Sequence, residues 1–380
     1  MLSAACAKLR EQMPIAANWA YFDHAAVGPI SGPAQRVLQT WSRQAAEQGD
    51  TVWPEWARAV EQTRRAAASL IGADPTEIAL VPNTTLGIHF VAEGWPWQPG
   101  DNLVVPADEF PTNAYPWLNL ASRGVETRRV QSNRPATVDV DQILAACDAR
   151  TKIIAASWVG FASGWRLDLE ELVERAHARG IAVLLDAIQG LGVFPLDVRA
   201  TPVDFLAADG HKWLLGPEGA GLLYVRRERL EQLRPLGVGW HSVVHAHDFD
   251  QINPVWKGNA ERYEGGSQNM AGQMALGASL ELLAGVSLAE ISRQVWKTTS
   301  EITARLINLG ATLYSRREAE QHASGIVSFV LPTEDPQATR ARCFEQQVAV
   351  SCRGGRIRLS PHAYQNADDL DRLFRALAAR

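Results

Sequence analysis

The sequence is poor in several things. Its 380 residues hold four cysteines, Cys6, Cys147, Cys343 and Cys352, with no C-x-x-C pair and no cysteine–histidine spacing of a metal site. This argues against a disulfide scaffold or zinc module; free thiols in a reducing, cytoplasmic setting are expected. Positive charge is not in excess: 37 Lys+Arg against 42 Asp+Glu leaves −5. A nucleic-acid footprint would need a clustered basic surface, whereas a pair such as Arg226-Arg227 is followed at once by Glu228. No run of eighteen apolar residues exists, so no membrane span is expected, and Met1 to Arg10 lacks a secretory leader's basic start and long apolar run. Linkers, low-complexity tracts and fixed-period repeats are absent too. No G-x-G-x-x-G follows the first predicted strand, which speaks against a dinucleotide-dependent oxidoreductase.

What is present is a soluble globular composition, 46% apolar and 21% charged. A chain of this length has room for two or three domains with cores that need no staples. Short apolar runs alternate with helical patterns through the middle. Strands are expected at Ile78-Ala-Leu-Val-Pro82, Asn102 to Pro106, Val125 to Val130, Lys152 to Ser157, Ile181 to Asp186, Asp204 to Ala208 and Gly221 to Val225. Leu169 to Arg179 has helical spacing and stops at Gly180. Such alternation implies an α/β domain with a mainly parallel sheet. Beyond Tyr263 the pattern changes. Helices are expected at 271–283, 288–309, 336–347 and 367–379, with strands at 325–331 and 356–360, an α+β arrangement. The expected division is a large α/β domain over 21–262 and a smaller domain from 1–20 with 263–380.

In open α/β sheets, ligands bind beyond the carboxyl ends of the strands. Four segments place polar residues there. Asp186 closes Ala182-Val-Leu-Leu-Asp186; a carboxylate so placed holds a cationic nitrogen or caps a helix. Lys212 follows the next strand among glycines, in Ala208-Asp-Gly-His-Lys212. It is either a surface lysine or a desolvated amine suited to Schiff-base chemistry. Asn83-Thr84-Thr85 sits at a strand-to-helix junction, where hydroxyls and free N–H groups cap the helix or cradle an anion. Phe110, in Asp108-Glu-Phe-Pro-Thr112, is an aromatic for the core or for stacking on a flat ring.

Taken together and in this order, the segments resemble the class V aminotransferase family of fold-type I pyridoxal-phosphate enzymes, which includes cysteine desulfurases, isopenicillin N epimerase-like proteins and kynureninase. The resemblance runs from Tyr21-Phe-Asp-His24 to Arg358-Leu-Ser360. It is most specific at LLDAIQG followed by ADGHKWLLGPEGAGLLYV. It implies that Lys212 carries pyridoxal 5'-phosphate, that Asp186 pairs with its ring nitrogen and that Gln189 approaches its phenolic oxygen. Phe110 takes the stacking place, usually histidine in desulfurases. Thr84 and Thr85 bind the phosphate, and His211 belongs to the lysine motif. Tyr263-Glu-Gly-Gly-Ser-Gln268 looks like a segment that crosses a homodimer, with Ser267 on the partner's phosphate. Arg358 matches the arginine for the substrate carboxylate, with His24 and Phe161 as further pocket residues; Trp240 and His241 are candidates as well.

Three departures stand out. Neither Cys343, in a helical stretch, nor Cys352 lies on the cysteine-bearing insertion of a persulfide-forming desulfurase. Asp209 stands where many relatives have a phosphate-binding serine. Phe161 stands where desulfurases have an asparagine. The expectation is a cytoplasmic, homodimeric enzyme with active sites at the subunit interface. It would act at Cα or Cβ of a small amino acid, as a cysteine desulfurase-like C–S lyase. The alternatives are an aminotransferase or epimerase, or a degenerate non-enzymatic binding protein. Against the last, Lys212, Asp186, Gln189 and Arg358 are all present. No metal, nucleic acid or membrane is expected.

Overall fold

The computed structural model describes residues 2–379. Its first strand, β1 (Ala20–Tyr21), is short. Seven strands then build the main sheet: β2 (Ile78–Val81), β3 (Asn102–Pro106), β4 (Glu126–Val130), β5 (Thr151–Ser157), β6 (Ala182–Asp186), β7 (Phe205–Asp209) and β8 (Gly221–Val225). Their order is β2-β8-β7-β6-β5-β3-β4. The pairings among β7, β6, β5, β3 and β4 are parallel, and β8 runs antiparallel to both of its neighbours. The expected mainly parallel sheet is therefore present, with bounds within a residue or two of those predicted.

The continuous apolar runs explain the layering. Every residue of β6, β7 and β8 is buried, because helices cover both faces. One face carries Leu185, Leu206 and Leu222 into a core shared with helices Trp53–Ile71, Leu169–His177 and Met270–Ala284. The other carries Leu184, Phe205 and Leu223 into a core shared with helix Thr84–Gly94. The period-2 alternation of side chains thus feeds two cores from one sheet.

The second sheet comprises β9 (Thr312–Leu313), β10 (Val327–Val330), β12 (Ser351–Arg353) and β13 (Arg356–Leu359), antiparallel in the order β12-β13-β10-β9, while β11 (Val348–Ala349) pairs in parallel with β1. The β12–β13 hairpin turns on Gly354 and Gly355, both at positive φ, which side chains with a Cβ adopt reluctantly.

Packing shifts the expected boundary between the domains at both ends. Ala20 and Phe22 belong to the small-domain core with Val327, Val348 and Leu359, and Asp23 bridges to Ser360. Helix Met270–Ala284, assigned above to the small domain, buries Leu276, Leu280 and Leu283 in the large-domain core. Its sequence is apolar nearly all round, which gave no indication of which domain it covers. Among the described residues, no single helix is long and apolar enough to cross a membrane.

Candidate active site

The carboxyl ends of β5, β6 and β7 open onto a cavity of about 240 Å³, roofed by the small-domain hairpin. Asp186 ends β6. Its Oδ1 accepts the N–H of Ile188 at 3.1 Å, and its other oxygen has no hydrogen-bond partner among the described residues. Burial pushes this carboxyl up to about 6, against the opposing pull of the Ile188 N–H and of Lys212. Lys212 follows β7 and is 8% exposed. Desolvation brings its amine down to about 8, although Asp186 favours the charged form. The turn that delivers Lys212 is held from below: Gly28 N–H donates to the His211 carbonyl at 2.7 Å. A Cβ on Gly28 would stand 2.2 Å from the Lys212 carbonyl oxygen, so only glycine fits.

Opposite the lysine, the Phe110 ring remains 45% exposed and meets Phe161 edge-on at 5.2 Å. Thr84 opens helix Thr84–Gly94; Asn83 caps that helix by accepting the Leu86 N–H. The Thr84 hydroxyl is buried in the cavity wall, with no hydrogen-bond partner among the described residues, at the positive end of the helix. Thr85 also lines the cavity and shares a hydrogen bond with Thr112 at 2.8 Å.

Arg358 reaches in from β13 and is 1% exposed. Its guanidinium donates to the Phe161 carbonyl (2.8 Å) and the Ser351 hydroxyl (3.2 Å), and pairs with Asp23 at 3.4 Å. Desolvation lowers it to about 10, which leaves it cationic. Gln189 donates to the Ala25 carbonyl (2.9 Å) and accepts from the Trp213 indole (2.9 Å).

Lys212, Asp186, His211, Thr84, Thr85, Phe110, Gln189, Arg358 and Phe161 therefore share one cavity, as does Asp209. The Asp209 carboxylate lies 3.0 Å from the His211 Nδ1, but neither atom is in hydrogen-bonding geometry with a partner. Asp209 thus stands beside the place expected for a phosphate.

Two expectations change. His24 is not a pocket residue. Its ring is fully buried away from the cavity, with Nδ1 donating to the Ser360 carbonyl and Nε2 accepting from the Tyr364 hydroxyl, both at 2.9 Å. Burial keeps it neutral, so it is a satisfied core histidine. His241 and Trp240 lie outside the cavity as well, the former against the Glu264 carbonyl. Ser267 is exposed and does not line this chain's own cavity; its segment is tethered by Glu264, which is buried and ion-paired to Arg64.

Sequence reading also missed residues. Glu109 accepts the Ser157 N–H at 2.6 Å and bonds the Ser157 hydroxyl, at the end of the strand beside Asp186. Desolvation, reinforced by Asp186, pushes it up to about 7. A carboxylate immediately before the stacking aromatic was the available signal. Arg353 lines the cavity mouth, on the face of β12 that also presents Ser351. Cys352, between them, points the other way and pairs with Ile357. Cys343 is fully buried, and desolvation raises its thiol to about 11.

The donor set fits pyridoxal phosphate. A cationic ring nitrogen would complete Asp186, a phosphate would complete the orphaned Thr84 hydroxyl at the helix end, and the open Phe110 face suits a flat heterocycle opposite Lys212. Among the described residues, no cluster of side chains is arranged to hold a metal ion.

Comparison with known proteins agrees with this fold. The family model for aminotransferase class-V matches residues 21–373. A probable cysteine desulfurase of Methanothermobacter thermautotrophicus is 29% identical over 392 residues, covering 97% of this chain and 96% of the relative. A cysteine desulfurase of Shigella flexneri is 30% identical over 302 residues, covering 78% and 70%. Among solved structures, a complex of the cystine C–S lyase C-DES with its product cysteine persulfide superposes with a TM-score of 0.90. The identity is 23%, with 97% of this chain and 99% of that one covered.

Proposed function

The chain belongs to the aminotransferase class-V family, and from that premise we propose that it is a pyridoxal-phosphate enzyme that cleaves a C–S bond of a small sulfur amino acid, a cysteine desulfurase-like lyase. The observation that carries the reading is the convergence of Asp186 and Lys212. They are buried strand-end groups of opposite charge, 26 positions apart in sequence, on one cavity with Arg358 and the unpartnered Thr84 hydroxyl. A buried amine and a buried carboxylate are costly to keep without a ligand that completes them.

Bound in this cavity, pyridoxal phosphate supplies an electron sink for the bonds at the substrate's Cα. The chain's own groups do the rest. Asp186 holds a proton on the ring nitrogen through a charge-assisted hydrogen bond. Thr84 and the helix end anchor the phosphate, and Phe110 stacks on the ring. Arg358 orients the substrate carboxylate and so selects which Cα bond faces the ring. Lys212, with its proton affinity lowered by desolvation, takes the Cα proton at Nζ and can return it. The electron pair left at Cα would then form a Cα=Cβ double bond and expel the Cβ sulfur substituent as its anion, to be protonated, and hydrolysis of the resulting dehydroamino acid would give pyruvate and ammonia. Neither Cys343 nor Cys352 is placed to receive that sulfur, which favours release of a free sulfur product over transfer to the protein.

A homodimer completes this reading: the 263–268 segment of each chain reaches the partner's cavity, where Ser267 meets the phosphate. The exposure of Ser267 and the anchoring of its loop by Glu264 support it.

The test is incubation of the purified protein, loaded with pyridoxal phosphate, with L-cysteine, L-cystine and cysteine sulfoxides. Pyruvate and a sulfur product are expected. Transfer of the amino group to a 2-oxo acid, with no sulfur released, overturns the lyase reading in favour of an aminotransferase.

A further inference from the structure

Trp213 follows the lysine directly and is 1% exposed. An indole has one polar atom, a donor. That N–H points at the Gln189 Oε1, 2.9 Å away in a fully buried contact. The other end of the Gln189 amide donates to the Ala25 carbonyl, a group that can only accept. The two partners together fix the amide. Turned over, it would set its NH2 against the indole N–H and its oxygen against a carbonyl, leaving buried donors and an acceptor unsatisfied. In the orientation seen, one amide N–H is left over, on a side chain that lines the cavity.

Trp213 itself has little freedom. Its ring packs against the His24 ring (5.9 Å, 25° between planes) and the His362 ring (6.0 Å, 33°). Its carbonyl accepts from the His362 Nε2 at 3.1 Å. A Cβ on Gly325 would stand 2.6 Å from its ring, so the backbone closes on the indole from that side as well.

We propose that Trp213 is a positioning residue for cofactor electronics: its indole N–H locks Gln189 so that the spare amide N–H is presented to the phenolic oxygen of pyridoxal phosphate. This rests on the cofactor reading above. A donor at that oxygen competes for the proton shared between the oxygen and the lysine nitrogen. A weakened donor leaves the oxygen more basic, and the proton is held to higher pH.

The experiment is a pH titration of the visible absorption band of the holoenzyme, with thermal unfolding as the check on folding. Trp213→Phe keeps an aromatic ring and removes the N–H. Its midpoint is expected to rise by about 0.5–1 pH unit, the size of one neutral hydrogen bond. Gln189→Met, which removes the donor outright, is expected to rise at least as far. The double variant should equal Gln189→Met alone, because both changes act through one amide. A folded Trp213→Phe protein with the wild-type midpoint overturns the proposal. So does an unmoved Gln189→Met midpoint, even if Trp213→Phe does not fold, and so does simple addition in the double variant. If the wild-type protein takes up no pyridoxal phosphate and shows no visible band, the cofactor reading fails, and this inference with it; a band with unmoved midpoints sinks this inference alone.

Discussion

The Lys212 amine lies 5.7 Å from the centre of the Phe110 ring. The two side chains come from different strand ends and leave between them a gap suited to a flat ligand. Phe110 is a cation–π partner of the amine, and its exposed face is the one that would stack on a bound heterocycle.

Phe110→Ala should weaken pyridoxal phosphate binding about three- to tenfold, the range of one aromatic stacking contact. Phe110→His, which restores an aromatic face, should recover most of that loss. Absorbance titration of the cofactor-free protein measures both. Equal affinity in the alanine variant would show that the ring stacks on nothing.

Asp186 makes stability depend on pH with a definite sign. Its carboxyl is raised from 3.8 to about 6 in the fold, so its burial penalty is absent below about pH 4 and fully present above about 6. Lys212 is lowered from 10.5 to about 8, so its penalty is present below 8 and disappears as the pH rises towards 10.5. The cofactor-free protein should therefore be least stable, from these two groups, at pH 6–8. Asp186→Asn should stabilise it there by up to about 3 kcal/mol and leave it unchanged at pH 4. The same substitution should weaken the cofactor-bound form, in which the carboxylate has its cation. Thermal unfolding with and without pyridoxal phosphate across pH 4–10 decides; a stabilisation independent of pH would contradict the assignment.

Thr84→Val should also act with opposite signs in the two forms. Without cofactor it removes a buried hydroxyl that has no partner, and stability should hold or rise by about 1 kcal/mol. With cofactor it removes a phosphate contact, and affinity should fall roughly tenfold, while Thr84→Ser stays near wild type. Unchanged affinity in the valine variant would place the phosphate elsewhere.

Cys343→Ala and Cys352→Ala should each keep C–S cleavage within two- to threefold of wild type, assayed as pyruvate from L-cystine. One thiol is buried and held protonated, and the other faces away from the cavity. Loss of activity in Cys352→Ala would identify a sulfur-accepting nucleophile.

Much of this was legible in the sequence where signals are local. The strands of the main sheet are uninterrupted apolar runs, and Asp186, Lys212 and Thr84 follow such runs directly. What escaped was decided by long-range contact. The pairing of Ala20–Tyr21 with Val348–Ala349 joins segments more than 300 residues apart, and neither strand has a length that announces it. His24 was misplaced for the same reason: its neighbours Ser360 and Tyr364 come from the far end of the chain and take both ring nitrogens. The role of Trp213 was invisible because nothing in its own neighbourhood shows that Gln189 receives its N–H.

The hydrogen bond from Arg358 to the Phe161 carbonyl joins a small-domain strand to a large-domain loop. A long side chain that would otherwise sample many rotamers is already confined. If Arg358 receives the substrate carboxylate, as proposed, less conformational entropy would be surrendered on docking. A guanidinium held in this way by Ser351, Phe161 and Asp23 would, on that proposal, favour an amino acid whose carboxylate meets it in place over one a methylene longer.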